Sequence, residues 1–243
     1  MFPFITLGPF AIPSKPFVFI IGFYAALWLV DQVLDQLDAE PEAIRGLAFN
    51  SLITGLIGGR LIFALTHWEA TLANPVSIIW PITVGYSLWG SVLIGLLALI
   101  FFGRQHQIDP INLLDTFLRP ILALLAAWLV ADFLGGPGFG TPTNLPGLTR
   151  HPVQVYELLI VIITFGMQRR TQAQAQFDGW SSLIVAAMLA FGFLITLNFR
   201  GGAATIWGGW QLNQLTAFAC LALALGTLAY LSPSGQQESL TST

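Results

Sequence analysis

The sequence predicts an all-α integral membrane protein of about seven transmembrane helices, and three observations carry that expectation. Of its 243 residues, 55% are hydrophobic and only 9% are charged, against roughly 25% charged residues in a soluble domain. The mean hydropathy is +0.75. The apolar residues also gather into runs near the length a bilayer requires, about 20 residues for a hydrocarbon core about 30 Å thick, and most charges lie between the runs.

In chain order the runs fall near 16–35, 45–66, 85–103, 112–134, 153–168, 180–198 and 209–231. PVSIIWPITV (75–84) is too short to cross and carries Pro81, so it reads as a re-entrant or interfacial segment. The connections are short and polar, except for GGPGFGTPTNLPGLTRHP, a length that points to a functional or disordered loop. No linker separates two soluble domains, so residues 1–243 read as a single membrane domain with a polar tail at 232–243. The N-terminus lacks the basic stretch of a cleaved signal peptide, and the first span is expected to remain in the protein.

The basic residues set the expected orientation. With seven spans, Arg45, Arg104, Arg119, Arg169 and Arg170 share one side, and Lys15, Arg150 and Arg200 the other. The bias places the N-terminus outside and the C-terminus inside. A net charge of −3 with no polybasic run argues against nucleic acid as a partner. The single cysteine, Cys220, lies in an apolar run, which excludes an intrachain disulfide; CxxC metal spacing is absent. Neither a metal nor a cofactor is predicted.

The charges at span ends are the candidate chemistry. In RHPVQVYELLIVIITF, Arg150, His151, Gln154, Tyr156 and Glu157 cluster where a loop becomes a helix, and Pro152 suits a first turn. Helical spacing puts His151 and Gln154 on one face and turns Glu157 elsewhere. Read plainly, this is a helix start with interfacial anchors. Glu157 nevertheless lies inside an apolar run and requires a cation, for which Arg60 in GLIGGRLIFAL is the best candidate. Such a pair is compatible with architecture alone or with a binding role. Asp132 and Arg200 each end a span beside glycines. Arg200 reads equally as a helix C-cap or as one of several arginines gripping a phosphate.

LGPFAI, GGRL at 58–61, GYSLWGSVLIG at 85–95, FLGGPGFGTPT, RHPVQVYE at 150–157 and FR at 199–200 stand in the order and spacing of one family. The chain resembles prolipoprotein diacylglyceryl transferases, bacterial inner-membrane enzymes that lipidate lipoprotein precursors. The resemblance implies a multi-pass protein of the bacterial cytoplasmic membrane. It also implies a phosphatidylglycerol-like phospholipid as ligand, a lipoprotein precursor or membrane-protein partner, and a reaction in which a substrate thiol attacks a glyceryl carbon and expels glycerol phosphate. Such chemistry needs help with the thiol proton and fixed positive charge at the departing phosphate.

The sequence departs from the family at those points. An ungapped match puts Gly90 at the motif histidine, Leu129 at a motif arginine, Asp132 at an asparagine, Pro137 at a glutamate and Lys15 at a tyrosine. His67 and His106 lie outside the motifs. No catalytic residue is therefore predicted. Arg60, Arg150, His151, Gln154, Tyr156, Glu157 and Arg200 are predicted to bind a lipid head group. The resulting expectation is a degenerate transferase acting in lipid binding or as a scaffold, with tryptophans such as Trp180, Trp207 and Trp210 near span ends for interfacial or partner contact. The alternative is a working transferase. A small-solute transporter is a third class, although no internal repeat supports it.

Overall fold

The computed structural model describes residues 4–8, 10–73, 86–136, 140–144, 149–201, 205–207 and 210–232. The expected re-entrant segment 75–84, Pro137 and most of the polar tail lie outside them. Helices dominate: α1 (Ser14–Asp31), α2 (Pro41–Thr66), α3 (Trp68–Ala73), α4 (Leu88–Gln105), α5 (Pro110–Gly135), α6 (Val153–Ala173), α7 (Trp180–Thr196) and α8 (Leu212–Leu231). Two short hairpins, unforeseen in the sequence, accompany them. Strand β1 (Phe4–Leu7) pairs antiparallel with β2 (Phe10–Pro13), and β3 (Thr205–Trp207) with β4 (Trp210–Gln211). Gly8 carries a φ of 61° at the first turn, a left-handed conformation that glycine adopts without a Cβ penalty.

Where seven spans are expected, six helices among the described residues are long and apolar enough to cross a membrane: α1, α2, α4, α5, α7 with the turn after it, and α8. The exception is α6. Any 18-residue window of it contains Glu157, Arg169 and Arg170. Its polarity is directed inward: Gln154, Glu157, Thr164, Gln168 and Thr171 are buried, while Leu159, Ile162 and Ile163 are exposed. These buried positions share one helical face, so α6 turns its polar stripe toward protein and its apolar side outward.

The chain divides into two compact units, Val30–Leu113 and a unit formed by Met1–Leu29 with Leu114–Thr243. In the first of these, α2 packs on α4 through small residues. A Cβ on Gly55 would lie 3.0 Å from the Ser91 carbonyl oxygen and 3.1 Å from the Gly95 Cα, and one on Gly58 2.4 Å from Ile94. The Gly55-xxx-Gly59 and Ser91-xxx-Gly95 spacings let the backbones approach, as small residues do between membrane helices. The approach is close enough for the Ser87 N–H to donate to the Gly59 carbonyl at 3.2 Å.

In the other unit, Leu118, Leu122 and Leu129 of α5, Val161 of α6 and Val185 of α7 form a buried apolar cluster. Asp115 of α5 joins the start of α7. Its carboxylate accepts from the Gly179 N–H at 2.9 Å, the Ser182 N–H at 2.7 Å and the Ser182 hydroxyl. A helix N-terminus leaves its first N–H groups without helical acceptors, and an anion there satisfies them.

Candidate functional site

Of the residues predicted to bind a head group, Arg150, His151, Gln154, Tyr156, Glu157 and Arg200 belong to the unit containing α5–α8. A short extended segment organises them. Thr141 N–H donates to the Phe199 carbonyl at 2.7 Å, and His151 N–H donates to the Thr141 carbonyl at 3.0 Å. Gly140 thereby pairs with Arg200, and Pro142 with Arg150. The two arginines are held along one strand-like piece although they are far apart in sequence. Gly140 permits this, since a Cβ there would fall 2.0 Å from the His151 carbonyl oxygen. Arg150 also donates through Nη1 to the Gly140 carbonyl at 3.1 Å.

Glu157 meets Arg200. Nη2 of the guanidinium donates to both carboxylate oxygens, at 2.8 and 3.0 Å. Glu157 is buried, whereas the Arg200 side chain is 41% exposed. Because a single nitrogen makes both bonds, the rest of the guanidinium fork keeps its donors. Sequence spacing nominated Arg60 as the partner of Glu157; the partner given by the fold is Arg200, brought in by the turn after α7. Gln154 and Glu157, expected on different faces of α6, share its buried face. His151 precedes the helix, where its Nδ1 lies 3.1 Å from the Tyr156 hydroxyl and its ring 4.8 Å from that of Phe199.

Next to this pair stands a second one that sequence reasoning missed. Lys15 Nζ lies 2.9 Å from Asp132 Oδ1, and Gln154 Nε2 donates to Asp132 Oδ2 at 3.2 Å. Both residues had drawn notice singly, as departures from the family pattern, with nothing to indicate that they meet. The lysine stem crosses Gly135, where a Cβ would fall 2.0 Å from Lys15 Cε. Asp132 also fixes the Gln154 amide. A carboxylate only accepts, so the NH2 group must face it, and the carbonyl Oε1 is left buried without a donor among the described residues.

Arg60 belongs to the other unit. It follows Gly58 and Gly59 in the α2 seam and is half-buried. At the motif-histidine position, Gly90 sits near the start of α4, and a Cβ on it would meet Ile62 at 2.8 Å. At the motif-arginine position, Leu129 is 5% exposed within the apolar cluster. Among the described residues, no group of His, Cys, Asp and Glu is arranged to hold a metal ion.

The family model for prolipoprotein diacylglyceryl transferase matches residues 3–230. The chain belongs to this family. The protein is thus an all-α integral membrane protein of the prolipoprotein diacylglyceryl transferase family, with several membrane-crossing helices. It is similar to the phosphatidylglycerol–prolipoprotein diacylglyceryl transferase of Chromohalobacter salexigens, at 28% identity over 75% of this chain and 74% of the relative. The protein of that name from Bordetella parapertussis is likewise 28% identical, over 81% of this chain and 83% of the relative. The Corynebacterium diphtheriae protein of the same name is 22% identical over 91% of this chain and 89% of the relative. Within the prolipoprotein diacylglyceryl transferase family, then, this chain combines the arginine-bearing RHPVQVYE segment with a lysine–aspartate pair and an apolar Leu129.

Proposed function

We propose that this chain is a catalytically degenerate prolipoprotein diacylglyceryl transferase of the bacterial cytoplasmic membrane. It retains a phospholipid head-group cavity and acts as a lipid-binding or scaffolding protein, one membrane domain with its N-terminus outside. The observation that carries the reading is the packing at the two altered motif positions. Ile62 fills the space into which a side chain at position 90 would extend, and Leu129 is enclosed by the apolar cluster. Neither position supplies a proton acceptor or a cation. The anion-gripping part is supported by Arg150 and Arg200, whose backbones pair with one extended segment and whose guanidinium groups keep donors for a phosphate. His151, Gln154, Tyr156 and Glu157 complete the proposed head-group set in this unit, with a phosphatidylglycerol-like lipid as ligand.

The alternative is a working transferase acting on phosphatidylglycerol and a lipoprotein precursor. The names of the relatives favour it, as does the His151–Tyr156 contact beside Arg150, a histidine within a polar site. One experiment separates the two. Purified protein is incubated with phosphatidylglycerol and a lipobox peptide, and both lipid retention and thioether product are measured. Degeneracy predicts retained lipid without product, and a lipidated peptide would establish the transferase. A Gly90→His variant is expected to gain no activity and to lose about 1–3 kcal/mol of stability, the typical cost of overpacking.

A further inference from the structure

The far end of α6 carries a second cationic site. Gln168 is fully buried, and its Oε1 accepts from Arg119 Nε of α5 at 2.9 Å. Arginine only donates, so the amide orientation is fixed, and Gln168 Nε2 is a buried donor with no acceptor among the described residues. The Arg119 guanidinium also sits 5.4 Å over the Phe165 ring. Arg169, the exposed neighbour of Gln168, is close enough to act on Arg119 as a like charge. Asp115, one helical turn before Arg119, is the nearby acid in sequence, but its carboxylate already accepts from the start of α7. Among the described residues, no carboxylate forms an ion pair with Arg119 or Arg169. Arg119 is thus held through Nε by a buried amide, with the exposed Arg169 next to that amide in the chain and no carboxylate paired to either among the described residues. An anion between the two guanidinium groups removes their repulsion.

We propose that Arg119, held in place by Gln168, and Arg169 form an anion site that takes the phosphate of an anionic phospholipid. Twelve residues of helix separate Glu157 from Arg169, a rise of about 18 Å, so the site is distinct from the one described above and does not depend on it. A lipid is the fitting source because the cations lie at the end of a helix with a lipid-facing apolar side, where exposed Leu159, Ile162, Ile163 and Met167 offer a path for acyl chains.

The test is native mass spectrometry of the full chain in detergent, titrated with phosphatidylglycerol or with phosphatidylcholine of the same acyl chains. Besides the lipid of the head-group site proposed above, the wild type is expected to retain an anionic lipid, resolved as a separate binding step, that Arg169→Gln binds about fivefold and Arg119→Gln/Arg169→Gln about thirtyfold more weakly, given about 1 kcal/mol per basic residue at a lipid surface. Arg169 is exposed, so its variant reports on binding even if the Arg119 change impairs folding. Unchanged retention by Arg169→Gln overturns the proposal. So does an equal loss on changing exposed Arg104 to Gln, which would mark an effect of total charge. Displacement of the lipid by millimolar inorganic phosphate would assign the site to a soluble anion instead, and lipid that stays bound supports the proposal.

Discussion

The two ends of α6 handle charge in opposite ways. At the start, each carboxylate has a cation: Asp132 holds Lys15, and Glu157 holds Arg200. At the end, Arg119 is bound to Gln168, the chain neighbour of Arg169, while the nearby acid, Asp115, serves the backbone of α7. The difference is between an end where acids take part of the positive charge and an end where, among the described residues, none does. It also shows that counting arginines at span ends says little about their use. What decides is whether an acceptor within reach is already engaged.

The comparison breaks first at Glu157. Replacing Arg200 with Gln leaves a buried carboxylate without its cation and is expected to cost about 3 kcal/mol, less than the fullest values for buried pairs because the guanidinium is partly solvated. Glu157→Gln leaves a half-exposed arginine and is expected to cost only about 1 kcal/mol. Denaturant titration in detergent micelles checks both, and equal costs would show that the carboxylate is not the buried partner that matters. Next comes Asp115→Ala, which removes three donors' acceptor at the start of α7 and is expected to cost about 1–2 kcal/mol by the same measurement. If Asp115 were instead reserved for Arg119, restoring stability would require a neutral residue at 119. Lys15→Met is expected to change stability by less than about 1 kcal/mol, since both partners of that pair are well exposed to solvent. The smallest change is expected for Arg169→Gln, within about 0.5 kcal/mol, because nothing in the described protein leans on that side chain. A large loss there would mean that the far-end cations are structural after all.

The apolar runs were enough to place every long helix, because burial in lipid requires length and composition that few other structures share. Their edges moved for identifiable reasons. Residues 168–173 are polar and read as a loop, yet α6 continues to Ala173 because Gln168 and Thr171 are buried, the latter 2.7 Å from the Ser181 hydroxyl. The hairpin at residues 4–13 was signalled by the Gly8–Pro9 dipeptide, a turn signal, but LGPFAI was read as a motif. The candidate site was legible as a set of residues in RHPVQVYE and at Arg200. Its pairings were not, since Lys15 and Asp132 are 117 residues apart and no local spacing relates them. Arg119 and Asp115 were missed differently. One entered only the orientation argument and the other drew no comment, although a carboxylate inside an apolar run is itself a signal.

The inward polarity of α6 also bears on how the chain enters the bilayer during synthesis. A helix released singly into lipid must show its whole circumference to hydrocarbon, and this one would then show Glu157, Gln154 and Gln168 with no companions. Asp132 and Arg119, which bond to Gln154 and Gln168, lie on α5 and are already made, whereas Arg200, the partner of Glu157, follows α7 and emerges from the ribosome only afterwards. Integration of α6 therefore draws on the helix before it for its amides, while its carboxylate waits for the turn behind α7.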